Sequence, residues 1–224
     1  MLREGVWAFL WVILWVGLWV AAGTTAGCGP PEEPKTPADM QRACDAERLR
    51  SCIGLAYDYA TGRDVQQDPA KAATLYEKAC RGGLVVGCVN LGVAFALGAG
   101  VPQDQATAAR LFRDACERGP PGEESVPVAC VNLGVVIDEG LTQPTSGEAP
   151  AGLFARACQA GFAPGCRYAG LSLVARDPPR GAALLDRACS GGDAPACTLV
   201  EKLRRGEPVE FDETILFAKV NYHY

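Results

Sequence analysis

Residues 72–104 read AATLYEKACRGGLVVGCVNLGVAFALGAGVPQD, and the arrangement of apolar residues around the two cysteines decides the fold. Before Cys80, the residues Ala72, Leu75, Tyr76 and Ala79 fall at i, i+3, i+4, i+7, the spacing of one helical face. After Cys88 the apolar run continues to Gly98, a residue suited to the position just past a helix C-terminus. Between the two segments, Arg81-Gly82-Gly83 supplies a short turn. The stretch predicts a helical hairpin with one cysteine near each side of its turn.

The pattern recurs along the chain. Cysteines fall into the pairs Cys44/Cys52, Cys80/Cys88, Cys116/Cys130, Cys158/Cys166 and Cys189/Cys197, and first members recur after 36, 36, 42 and 31 residues. A period in that range marks stacked supersecondary units. The helix before the first cysteine repeats as Leu111-Phe112-x-x-Ala115-Cys116, Leu153-Phe154-x-x-Ala157-Cys158 and Leu184-Leu185-x-x-Ala188-Cys189. Within one straight helix, residues eight apart lie about 12 Å apart. A disulfide needs Cα atoms about 4.4–6.8 Å apart, so a turn must intervene. Ten cysteines allow many pairings, but the spacing and the hairpin geometry favour one local bridge per hairpin. Each would contribute roughly 2.5–3 kcal/mol by loop closure.

The eleventh cysteine, Cys28, stands apart. Residues 6–23 are almost wholly apolar, and Gly23-Thr24-Thr25-Ala26-Gly27 follow immediately before Cys28, as in an export signal. This junction resembles the lipobox of bacterial lipoproteins, although Thr25 stands where that family usually has Leu. The resemblance implies cleavage before Cys28 and lipid on its thiol and new amino group. Gly29, where inner-membrane lipoproteins usually have Asp, implies the outer membrane. An uncleaved signal anchor is the alternative, since 18 apolar residues can just span a bilayer. Either reading exports the chain to an oxidising compartment where disulfides persist. Residues 1–27 are therefore expected to be the signal, 28–38 a Pro-rich tether, 39–207 the repeats and 208–224 a C-terminal cap. In the cap, Leu216-Phe217 echo the helix motif and Asn221 stands where cysteine would.

From Ala43 to Val200 the residues resemble the SEL-1-like repeat family. Tyr57, Gly62, Val65 and Asp68 fit one copy of its loop pattern, and Gly92, Phe95, Gly98, Gly100, Val101 and Asp104 fit the next. The paired cysteines resemble the cysteine-rich secreted subgroup typified in Helicobacter. The resemblance implies an all-α, right-handed α-solenoid of about five hairpins, each stapled by a disulfide. Repeat three departs, with residues 119–126 inserted between its cysteines and the loop before repeat four lost.

Several chemistries are disfavoured by the composition. No CxxC occurs, and His223 is the only histidine, so neither a redox dithiol motif nor a zinc ligand set is expected. Net charge is −5 without a basic block, which disfavours nucleic acid. The family resemblance raises a β-lactamase or penicillin-binding activity. However, Ser51, Ser125, Ser146, Ser172 and Ser190 all lack the lysine three residues on that the serine enzymes use. The acidic pairs Glu32/Glu33 and Glu123/Glu124 read as solvated loop residues.

A stacked array presents a long surface, and binding is the leading expectation. Asn90 and Asn132 occupy the same place in successive repeats and are the candidate ligand contacts, for an extended peptide or a glycan. The bland alternative is a structural bond to a neighbouring loop. Tyr57, Phe95 and Tyr168 could line a groove or fill the core, and Pro120–Val126 reads as an exposed contact point. The expected protein is a monomeric, cofactor-free, envelope-anchored scaffold or adaptor for a protein, peptide or cell-wall ligand. A cell-wall enzyme and a purely structural envelope protein are the alternatives.

Overall fold

The computed structural model describes residues 34, 36–144 and 148–209, and among these it holds ten α-helices and no strand. They pair as hairpins. α1 (Pro37–Asp45) joins α2 (Leu49–Thr61), and α3 (Pro69–Arg81) joins α4 (Val85–Leu97). α5 (Gln105–Arg118) joins α6 (Ser125–Asp138), and α7 (Pro150–Gln159) joins α8 (Ala163–Val174). α9 (Pro178–Ser190) joins α10 (Ala194–Arg204). Each hairpin packs on the next, and the second helices α4, α6 and α8 also touch one another in turn, which makes them an inner layer. This is an α-solenoid.

Each hairpin is closed by the expected local bridge, with Cα–Cα distances between 4.4 and 4.8 Å. The first cysteine ends one helix and the second lies in the opening turns of the next. In four of the five hairpins the turn places a left-handed residue three positions after the first cysteine, whereas Gly119 of the third is extended. Gly83, Gly161 and Gly192 supply it with φ of 88°, 87° and 89°, whereas Glu47 adopts φ 61° in the first hairpin. Glycine takes this conformation without the steric cost an L side chain meets.

Aspartates start most of the first helices. The side chains of Asp68, Asp104 and Asp177 accept the backbone N–H groups of Lys71, Thr107 and Arg180 at 3.1, 3.0 and 3.2 Å. These caps satisfy donors that a helix leaves unpaired at its N-terminus. α7 has lost its cap with the preceding loop, and Ala149 stands there instead. A bidentate ion pair holds the chain just before this helix. Arg113 of α5 donates to both carboxylate oxygens of Glu148, at 2.6 and 2.9 Å, with both side chains largely buried.

Between hairpins, a small residue on each second helix meets a large one on the following first helix. A Cβ built on Gly92 would lie 2.6 Å from Phe112, one on Gly134 2.5 Å from Phe154, and one on Gly170 2.9 Å from Leu185. These contacts draw the helices together around the fully buried Phe112, Phe154 and Leu185. Such close approach is where glycine is required in a helix despite its propensity cost.

A cation ladder reinforces the same junctions. Lys78 Nζ donates to the carbonyl of Cys44 at 2.8 Å, Arg156 to that of Cys116 at 2.9 Å, and Arg187 to that of Cys158 at 3.1 Å. Each cation stands two residues before its own repeat's first cysteine and reaches back to the helix C-terminus of the previous repeat. That terminus carries unpaired carbonyls and partial negative charge. Repeat three breaks the ladder, because Asp114 holds the equivalent place and pairs with Arg118 on its own helix.

The structure adjusts several expectations. Tyr59, rather than Tyr57, holds the place of Phe95, since each lies three residues before a glycine that ends its helix, Gly62 or Gly98. Pro37 and Ala38, read as tether, belong to α1, whose start is capped by Thr36. The insertion of repeat three is exposed from Pro120 to Gly122 and at Glu124, but Ser125 within it is fully buried at the start of α6. Cys28, the apolar segment before it and residues 210–224 of the expected cap lie outside the described residues. No helix among the described residues is long and apolar enough to cross a membrane.

Replacing Asp114 with arginine restores the missing rung. Asp114→Arg is expected to raise unfolding stability by about 0.3–1 kcal/mol in urea titration. The exposed pair with Arg118 that it sacrifices is worth little. An unchanged or lower midpoint would show that the ladder carries no energy.

Candidate functional site

A cavity of about 260 Å³ opens between the first two hairpins, walled by α2, α3 and α4. Tyr57 and Thr61 form one side, Ala72 and Tyr76 another, and Asn90 and Leu97 the third. The lining is mostly apolar and aromatic with a few polar groups, the usual make-up of a ligand site. Leu97 at its edge is 47% exposed, one of only two large apolar side chains so exposed among the described residues.

Asn90 is one of the polar groups that line the cavity, with Thr61 and Gln67. It is 7% exposed, and its side-chain amide makes no hydrogen bond within the protein while opening into the cavity. An amide left free toward the cavity can give its donor and acceptor to a bound group. Asn132 has the opposite fate. It is fully buried and already partnered, so no surface ligand can reach it. The repeat positions equivalent to Tyr57, Tyr76 and Val93 of the cavity are, one hairpin on, Val93, Phe112 and Val135, all buried in one continuous core.

Other sequence candidates also divide. Tyr168 is buried and stacks on Phe154 with ring centroids 5.1 Å apart, which places it in the core. Phe95 is partly buried and packs against both main apolar clusters. Of the serines weighed for catalysis, Ser51 and Ser125 are buried, and Ser172 donates to the carbonyl of Tyr168 at 2.9 Å. Ser146 lies outside the described residues. A second cavity of about 230 Å³ lies along the hairpin turns, where Pro120 and Glu123 of the insertion reach Leu84 and Ile53.

Behind the cavity wall sits a charged relay that the sequence reading missed. Arg63 Nε donates to Asp58 Oδ1 at 2.8 Å, and the same guanidinium lies over the Tyr57 ring, 5.0 Å from its centroid. Arg63 thereby ties the cavity's Tyr57 to a carboxylate buried on the same helix. Asp58 Oδ2 is buried with no partner. Burial pushes the Asp58 carboxyl above its ordinary value, with Arg63 pulling the other way and Asp64 adding to the rise. The capping aspartates behave oppositely. The N–H of Lys71 holds Asp68 below the ordinary value, and that of Thr107 does the same for Asp104.

This stack of disulfide-closed hairpins defines a tetratricopeptide-like α-solenoid. The family model described as Sel1 repeat matches residues 49–84, 85–120 and 163–193, and these three segments are similar to Sel1 repeats. The unmatched stretch 121–162 is the one that holds most of the insertion and the lost loop. A solved Sel1 repeat protein from Oxalobacter formigenes is similar in fold, with 22% identity and a TM-score of 0.63 over 77% of this chain and 78% of that one. A protective antigen of uropathogenic Escherichia coli with an SLR fold is similar at 22% identity and a TM-score of 0.62. That match covers 75% of this chain, which spans only 36% of the antigen's length. No curated protein matches the sequence.

The pKa directions set the acid response. Asp68 and Asp104, lowered when folded, contribute stability that is complete above the ordinary value of 3.8 and is lost as pH falls through their folded values. Asp58, raised when folded, contributes below 3.8 and loses that contribution as pH rises through its folded value. Thermal unfolding across pH 2–7, a window spanning roughly the usual carboxylate range, should therefore show Asp104→Ala flattening the acid-side loss. Asp58→Asn should gain more, relative to wild type, at neutral pH than in acid.

Proposed function

We propose that this chain is a non-catalytic binding module that holds an extended segment of a protein or peptide along its inner helices. The single observation that carries the reading is the Asn90 amide, which has no hydrogen-bond partner within the protein and opens into a mostly apolar cavity. An extended peptide fits this arrangement: its backbone offers a donor and an acceptor to Asn90, and one side chain fills the space between Tyr57 and Tyr76. Leu97 gives the same segment an apolar edge to cross.

The five bridges fit an oxidising, exported compartment. In this reading the repeats stand on the exported side of a membrane, tethered by lipid at Cys28. The lone cysteine directly after an apolar run and small residues supports that arrangement. A monomer suffices, because the cavity is completed within one chain.

Selection from a displayed library of random peptides against the oxidised protein supplies the ligand. Asn90→Ala should weaken the selected peptide about tenfold, equivalent to roughly 1.4 kcal/mol, measured by calorimetry. Binding that is indifferent to Asn90→Ala and to Leu97→Asp would reject the cavity as the site. For the anchor, Cys28→Ser should release the protein from the membrane fraction of its native host. Retention of that variant at the membrane would reject lipid attachment at Cys28.

A further inference from the structure

The five staples are not equally protected. Cys44–Cys52, Cys116–Cys130 and Cys158–Cys166 are buried at both ends, every cysteine being 2% exposed or less. Cys80–Cys88 and Cys189–Cys197 are half-buried at both ends. The division follows the cation ladder. The three buried bridges are those whose first cysteine is held from behind by Lys78, Arg156 or Arg187. Cys189 has no described repeat after it to supply a cation, and Cys80 faces a repeat that carries Asp114 at the ladder position. Each of the three cations hydrogen-bonds the carbonyl of its cysteine, and its aliphatic stem covers surface at that helix end.

Of the two accessible bridges, only Cys80–Cys88 serves the cavity. It joins α3, which bears Ala72 and Tyr76, to α4, which bears Asn90 and Leu97. We propose that Cys80–Cys88 is a redox-sensitive staple, opened by a dithiol of the exported compartment, whose integrity holds the two walls of the cavity together. The consequence for ligand rests on the binding role argued above, whereas the reactivity of the bridge does not.

The chemistry balances as thiol–disulfide exchange. One thiolate of the dithiol attacks Cys80 Sγ, the Cys80–Cys88 bond breaks, and Cys88 leaves as a thiolate. Cys88 lies in the first turn of α4, where the helix N-terminus favours negative charge, so it is the better leaving group. The second thiol of the dithiol then attacks the mixed disulfide, freeing Cys80. Both protein thiolates take up protons, the bridge has gained two electrons, and the dithiol has become a disulfide.

The test uses the folded oxidised protein and dithiothreitol, with timed alkylation and peptide mapping. Cys80, Cys88, Cys189 and Cys197 should be labelled at least about tenfold faster than the other six bridged cysteines. Asp114→Arg, which lays a cation over Cys80, should slow labelling of Cys80 and Cys88 toward the buried rate and leave Cys189 and Cys197 unchanged. Uniform labelling of all ten, or no protection by Asp114→Arg, would overturn the assignment. In a Cys189→Ser/Cys197→Ser background, early reduction should raise hydrogen exchange across residues 69–97 and not across 125–138. Unchanged exchange there would refute the link to the cavity. None of these readouts needs a ligand, so failure of the Asn90 binding experiment is separately visible.

Discussion

A covalent bond between the last turn of one helix and the first turns of the next governs the arrangement of everything else. The glycines in the turns, the close approach of Gly87 and Gly165 to the preceding helix end, and the register of each hairpin all follow from bringing two Cα atoms within 4.8 Å. The phase of the family match gives the bond a further meaning. Its unit boundaries fall after Leu84, after Pro120 and before Ala163, each inside a cysteine pair. In that phase every one of those bridges joins consecutive repeats. Solenoid stability is the sum of weak units and nearest-neighbour coupling. Here the coupling step itself is covalent, backed by cations that reach from one repeat to the helix end of the previous one.

The middle of the array shows how the architecture tolerates damage. Repeat three lengthens its cysteine loop to 14 positions and loses the loop that elsewhere delivers a capping aspartate to the next helix. The bridge still closes, and the Arg113–Glu148 pair ties α5 to the chain entering α7. One-residue changes have larger local consequences. Asp114 in the ladder leaves a helix end without its cation, and the adjacent bridge is half-buried where its shielded counterparts are buried.

The hairpins and their staples were legible because cysteine spacing constrains geometry directly, and helical periodicity carries the rest. The site was legible only in part. Asn90 and Asn132 sit in the identical hexapeptide CVNLGV, yet one opens into a cavity and the other is sealed in the core. Local sequence cannot separate them, since the difference comes from the walls that neighbouring repeats supply. Tyr57 and Tyr59 lie two residues apart on one helix, and only alignment to the helix-ending glycine shows which belongs to the repeat pattern. The cation ladder was visible as Lys78, Arg156 and Arg187 two places before a cysteine. Its meaning required knowing which carbonyl each side chain reaches.

The account stands on local bridging, and peptide mapping of the unreduced protein from its native host tests that directly. The expected result is five linked peptide pairs, Cys44 with Cys52, Cys80 with Cys88, Cys116 with Cys130, Cys158 with Cys166 and Cys189 with Cys197. Bridges between distant hairpins, or free thiols among these ten, would contradict it.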